Sequence, residues 1–139
     1  MTRPPTAFEL RDNLVVQSAI ESAWKDSNPD DHGTRHEEGG WISLNLTNGE
    51  ITTRRATAGA QSEINLASPP HMAGYVVVGV FHTHPNPSAE GWEPGPSDAD
   101  RRVDERDGVP DLIRSDNGIH FSGPDSRRGG LTGGPGFPL

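Results

Sequence analysis

His82 and His84, in His82-Thr83-His84-Pro85, and the downstream Pro96-Ser97-Asp98-Ala99-Asp100 are the residues of this chain best suited to chemistry. The histidines close the most hydrophobic run in the sequence, Tyr75-Val76-Val77-Val78-Gly79-Val80-Phe81. A run rich in β-branched residues, bounded by Pro- and Gly-containing segments, reads as a buried strand. Strand side chains alternate between faces, so His82 and His84 project from the same one. Two imidazoles on one face can share a cation, and an Asp can complete three protein ligands. A fourth position then stays open for water, which is the arrangement of a catalytic zinc site and not of a structural one.

Further residues stand in a workable order around that pair. Ser97 reads as a helix N-cap, with Asp98 and Asp100 in the first turn, where carboxylates suit the positive end of the helix dipole. A helix that starts just after a strand's C-terminal end can aim its first turn at that strand's last residues, so Asp100 can reach a metal held by His82 and His84. The plainer alternatives are a simple cap for Ser97 and a first-turn carboxylate without ligand duty for Asp100. Hydrolysis also needs a base that is not a strong ligand. Glu37, in Glu37-Glu38-Gly39-Gly40-Trp41-Ile42, is that candidate, with an exposed acidic pair as its alternative reading. Gly39 and Gly40 fit close backbone packing or a bulge.

The elements that must position these groups follow from periodicity. Residues 6–24 carry Phe8, Leu10, Leu14, Val15, Ala19, Ile20 and Ala23 at roughly helical spacing, blurred by Val16, and predict one amphipathic helix. A polar loop follows over 26–36. Residues 41–46 alternate as a strand, Asn48-Gly49 is a hairpin signal, and 50–57 return. Residues 58–72 read ambiguously, as loop, short helix or extended chain, and Pro69-Pro70 ends them. The central strand spans 75–84. A Pro/Gly-rich loop over 85–96 carries Trp92, which either lines the site entrance or anchors the loop. The helix from Ser97 runs to about Asp107 and stops at Gly108 and Pro110. Residues 111–121 form a last hairpin, turning at Asp116-Asn117-Gly118.

Composition narrows the classes. One domain fits 139 residues, and 17 Gly with 13 Pro implies an ordered core smaller than the length suggests. A net charge of -8 argues against nucleic acid as a partner. Without Cys there is neither a disulfide framework nor a thiolate metal site. No apolar stretch is long enough for a bilayer, and Met1-Thr2-Arg3-Pro4-Pro5 lacks the apolar core of a signal peptide. A cytoplasmic protein, or a domain exported within a larger polypeptide, is expected. The Gly/Pro-rich residues 122–139 read as a flexible tail after a domain of residues 1–121.

The set Glu37-Glu38-Gly39-Gly40, His82-Thr83-His84-Pro85 and Pro96-Ser97-Asp98-Ala99-Asp100 resembles the JAMM (MPN-type) zinc metalloprotease family. Members of that family cleave isopeptide or peptide bonds, often releasing ubiquitin or ubiquitin-like proteins. The resemblance implies an α/β fold, a mixed β-sheet flanked by an N-terminal helix and by a helix following the metal-site loop. It implies that His82, His84 and Asp100 hold Zn2+, that Glu37 is the general base and that Ser97 stabilises the tetrahedral intermediate. A looser likeness, carried by 8–24 and by Pro110-Asp111-Leu112-Ile113 through Asn117-Gly118-Ile119, is to a bacterial branch at the ends of polymorphic-toxin and secretion-associated proteins. That branch implies a toxic effector with an immunity protein as partner. One departure matters: the 12 residues between His84 and Ser97 exceed the usual family spacing. The alternative function is a metal-free scaffold or binding module, as some members of the family are. Among the other histidines, His36 beside Glu37 is the one to watch as an extra ligand or neighbour of the base.

Overall fold

The apolar run at Tyr75 forms the middle strand of a five-stranded sheet in the computed structural model, which describes residues 3–92 and 94–131. The strands are β1 (Gly39–Asn45), β2 (Ile51–Arg55), β3 (Tyr75–Thr83), β4 (Asp111–Ser115) and β5 (Gly118–Ser122), in the spatial order β2-β1-β3-β4-β5. Three neighbouring pairs are antiparallel and β3–β4 is parallel. A parallel step needs a crossover, and α3 (Asp98–Asp107) lies within it. With α1 (Ala7–Asp12) and α2 (Leu14–Asp26) the chain is an α/β fold with a mixed sheet.

The N-terminal segment corrects the sequence expectation. It is two helices, not one, because Asn13 adopts an extended conformation between them (φ -74°, ψ 128°). Its Oδ1 accepts from the N–H groups of Val15 and Val16, so it caps α2. The break changes the helical phase. Leu10 is buried from α1, and Val16, Ile20 and Ala23 are buried from α2, whereas Phe8, Leu14 and Val15 are exposed. Val16, the residue that blurred the pattern, is a core residue.

A bulge decides which way the histidines face. Ile42 of β1 pairs with Gly79, but the next residue, Ser43, pairs with Val77, so Val78 is an extra residue in β3. Before the bulge Val76 and Val78 pack with the α1–α2 core of Leu10, Val16, Ile20, Ile42 and Leu44; after it Phe81 does so. Val77 and Val80 pack on the other face with Trp41, Leu66 and Val109. An extra residue reverses the alternation downstream. His82 and His84 therefore share the face of Val80, away from the helical core. A side chain at Gly79 would crowd this core: a Cβ on it would lie 2.9 Å from Leu10 Cδ1, 3.3 Å from the Pro110 carbonyl oxygen and 3.4 Å from Ile42 Cδ1.

The two hairpins form as expected, with Gly49 at φ 77° in the first turn. Residues 58–72 contain neither helix nor strand. They are held by Trp41, whose indole N–H donates to the Leu66 carbonyl at 3.0 Å. The segment read as a tail is partly built into the fold. Thr6 bridges Ser126, the Arg127 guanidinium donates to the Val77 carbonyl at 3.0 Å, and Leu131 packs on the core. Residues 132–139 lie outside those described. Among the described residues no helix is long and apolar enough to cross a membrane.

Candidate metal centre

His82 sits near the end of β3, 3% exposed. His84 follows the strand and stays in line because its N–H donates to the Arg114 carbonyl of β4 at 2.8 Å. The two Nε2 atoms are 3.2 Å apart. Asp100 completes the group from the first turn of α3, with Oδ2 3.1 Å from His84 Nε2 and Oδ1 3.5 Å from His82 Nε2. Ser97 caps α3: its Oγ accepts from the Asp100 N–H at 3.0 Å, and its own N–H donates to Asp100 Oδ2 at 3.0 Å. This reciprocal capping box fixes the carboxylate as well as the helix start. It occupies a lone pair of the Ser97 hydroxyl and leaves the O–H free to donate.

These separations suit a metal. Tetrahedral ligands at the usual zinc bond lengths of about 2.0–2.1 Å stand roughly 3.3–3.4 Å from one another. The Nε2–Nε2 distance is close to that edge, and Asp100 faces the two rings through different oxygens, Oδ2 toward His84 and Oδ1 toward His82. Glu37 flanks the same pair: one carboxylate oxygen and one ring nitrogen of each histidine all lie within 4.8 Å of one another. The Glu37–His82–His84 group can hold a metal ion, and Asp100 lies against the two histidines of that group.

Glu37 reaches the site from the chain entering β1. Its N–H donates to the Ala60 carbonyl and its carbonyl accepts from the Gly59 N–H, both at 2.8 Å. Glu38 is locked to β3 by two bonds with Thr83, its N–H to Oγ1 at 3.0 Å and its carbonyl from the Thr83 N–H at 2.9 Å. Alternation then sends the two side chains to opposite faces. The Glu38 carboxylate lies 2.5 Å from His36 Nε2 and accepts from Arg55 Nη2 at 2.6 Å. His36 therefore neighbours Glu38, not the candidate base, and is absent from the metal group. Glycine at 39 permits the approach, since a Cβ there would lie 2.3 Å from the Phe81 carbonyl oxygen and 2.9 Å from His82 Cβ.

Asp111, the first residue of β4, was not legible as a site residue. Its Oδ1 lies 3.1 Å from His82 Nδ1, and both groups are buried. A proton on Nδ1 donates to that carboxylate, which leaves the Nε2 lone pair for an ion. Such outer partners orient the ring and raise its basicity. Only the parallel pairing of Val80 with Asp111 brings the two together, and nothing local in sequence encodes it.

The charges respond to this packing. Burial pushes the Glu37 carboxyl up to about 7, against the opposing pull of His82 and His84. Burial works against a charged His82, but Asp111 and Asp100 outweigh it and hold the imidazole well above its ordinary value. Burial likewise opposes ionised Asp100, and the hydrogen bonds from His82 and His84 drive its pKa far below the usual carboxylate range.

A cavity of about 150 Å³ opens over the centre, lined by Glu37, Ser62, His84, Asn86, Trp92 and Ser97. Trp92 is thus one of the residues lining this cavity. The long loop is tied down on two sides, by Arg35 to Glu90 at 3.0 Å and by Ser88 to Asp116 at 3.2 Å. Asn86 and Gln61 exchange hydrogen bonds, Nδ2 to the Gln61 carbonyl at 3.0 Å and Nε2 to Asn86 Oδ1 at 3.1 Å, and join this loop to the 58–72 segment.

No protein-family model, curated protein or solved structure matches this chain.

Proposed function

We propose that this chain is a zinc-dependent metallopeptidase or isopeptidase of JAMM type, with His82, His84 and Asp100 as ligands, Glu37 as general base and Ser97 as oxyanion donor. The observation that carries the reading is the convergence of the His82, His84 and Asp100 donor atoms, 3.1–3.5 Å apart, beside the buried carboxyl of Glu37, pushed up to about 7. A divalent ion supplies Lewis acidity there, polarising a carbonyl and making water a stronger acid.

The chain's own groups do the rest. Glu37, pushed up to about 7, is matched to proton transfer near neutral pH. It takes a proton from the attacking water and passes it to the amine that leaves as the C–N bond breaks. The Ser97 hydroxyl, already oriented by its acceptor role in the cap, donates to the carbonyl oxygen as charge develops on it. Asp111 keeps His82 in the orientation that presents Nε2. The Trp92 side of the cavity receives substrate. The substrate is a protein chain, joined through a peptide or an isopeptide bond; service as a toxic effector paired with an immunity protein rests on the sequence resemblance alone.

Profiling of newly formed protein termini and released modifiers in cells expressing wild type or Glu37→Gln tests the activity. Termini unique to wild type are expected. Identical profiles, with zinc bound in both proteins, would sink the hydrolase reading.

A further inference from the structure

A second cavity, of about 200 Å³, adjoins the centre, with His82 and Asp100 in its lining. Ser62 and Ser97 line both cavities, so a chain lying across the centre enters both. The walls of the second are apolar, from Ile64, Leu66, Val80 and Val103. Its lining also carries three carboxyl groups, from Asp104 and Asp107 on α3 and Asp111 on β4.

These carboxyl groups are not equivalent. Asp111 is engaged with His82. Asp107 is buried, with only the exposed Arg106 at 3.2 Å. Asp104 is 2% exposed, and its Oδ2 has no hydrogen-bond partner. A buried polar atom without a partner is costly, and such atoms are few in folded proteins. Burial, helped by the neighbouring Asp111 charge, holds Asp104 well above the usual carboxylate range. A cationic donor would supply the missing partner and favour the ionised form. Apolar walls beside a carboxyl with one oxygen lacking a hydrogen-bond partner complement a long aliphatic stem with a cationic head, which is the shape of Lys and Arg.

We propose that this cavity is a specificity pocket for a lysine or arginine side chain of the substrate, with Ile64, Leu66 and Val103 along its stem and Asp104 and Asp107 receiving its head group. Calling the occupant substrate rests on the hydrolase reading above; the binding of a cationic side chain does not.

The test uses n-butylguanidinium and its uncharged counterpart n-butylurea, titrated separately into the full chain and followed by protein NMR. Saturable binding of the guanidinium is expected, with the urea weaker by on the order of tenfold or more, the worth of a charge-assisted hydrogen bond. Asp104→Asn should weaken guanidinium binding by a similar factor, and Asp107→Asn provides the same comparison should Asp104→Asn fail to fold. Equal affinity for the two probes, no saturable binding, or wild-type affinity in a folded Asp104→Asn protein would overturn the pocket. A mixed peptide library separates this inference from the hydrolase reading. Cleavage with no enrichment of Lys or Arg beside the cut overturns the pocket and leaves the hydrolase standing. Selective guanidinium binding without cleavage of any peptide supports the pocket and counts against the hydrolase.

Discussion

Replacing Glu37 by Gln removes a buried charge while keeping the side chain's shape, and the consequence for stability can be worked out in advance. In the metal-free chain burial raises this carboxyl from 4.5 to about 7. The unfolded chain loses the proton near the ordinary value, whereas the folded chain keeps it to about 7. Between those limits the folded state binds more protons, so stability falls as pH rises. One pKa unit corresponds to 1.36 kcal/mol, so ionised Glu37 costs ~3 kcal/mol once the pH passes the folded value. Gln carries no such cost. Urea unfolding of both chelator-treated proteins, at pH 5 and pH 8, reads this directly. Relative to wild type, Glu37→Gln should be ~2.5 kcal/mol more stable at pH 8 than at pH 5, since part of the cost is already present at pH 5 and groups common to both proteins largely cancel in the comparison. A difference that does not change with pH would refute the burial argument. The same variant separates base from ligand. As a base Glu37 is dispensable for binding, so zinc content should persist while activity falls by at least about 10²–10⁴-fold. Loss of zinc would instead make Glu37 a ligand.

Alanine at both His82 and His84 leaves too few donors, so elemental analysis should find no bound zinc, and full stoichiometry would refute the assignment. Asp111→Asn should weaken zinc binding by about 10–100-fold in a chelator competition, because it loosens the ring it orients; unchanged affinity would make the Asp111–His82 bond irrelevant to the metal. Ser97→Ala should lower activity by about 10²-fold and stability by ~1 kcal/mol, measured by steady-state kinetics and by urea unfolding; a stability loss alone would leave Ser97 as a cap and nothing more. Zinc needs a neutral His82, whose pKa stands above 6.5 in the metal-free chain. Calorimetry in buffers of different ionisation enthalpy should therefore show proton release at neutral pH and an affinity that falls on acidification, beginning above pH 6.5.

The parts of the site that lie close in sequence were legible. Two histidines two apart on a β-branched run share a face, and Ser97 with Asp100 at capping spacing shares a helix start; both follow from local geometry. The Asn48-Gly49 and Asp116-Asn117-Gly118 turns likewise mark their hairpins. What escaped depends on distant chain segments or on a single dihedral. Asn13 leaves helical space although the apolar spacing around it suggests continuity. The bulge at Val78 is visible only through the partner strand. The role of Asp111 requires the parallel register of β3 on β4, and the acidic cavity requires α3 to lie over Val80. The extended tail reading failed where Arg127 finds a main-chain carbonyl to bond, an interaction that composition does not reveal.

The extra residue in β3 also constrains how this chain can change over generations. Strand geometry counts residues in twos. Losing or gaining one residue between Tyr75 and His82 would rotate the histidine pair into the helix-covered oil, or turn the valines before it outward. Substitutions there are local events, but length changes are not. Descendants of this sequence should therefore keep that stretch free of insertions and deletions wherever they keep the His82–His84 pair, while the irregular 58–72 and 85–96 segments lengthen and shorten freely. A one-residue gap in the strand would then serve as a mark, readable from sequence alone, of a descendant that has abandoned the chemistry.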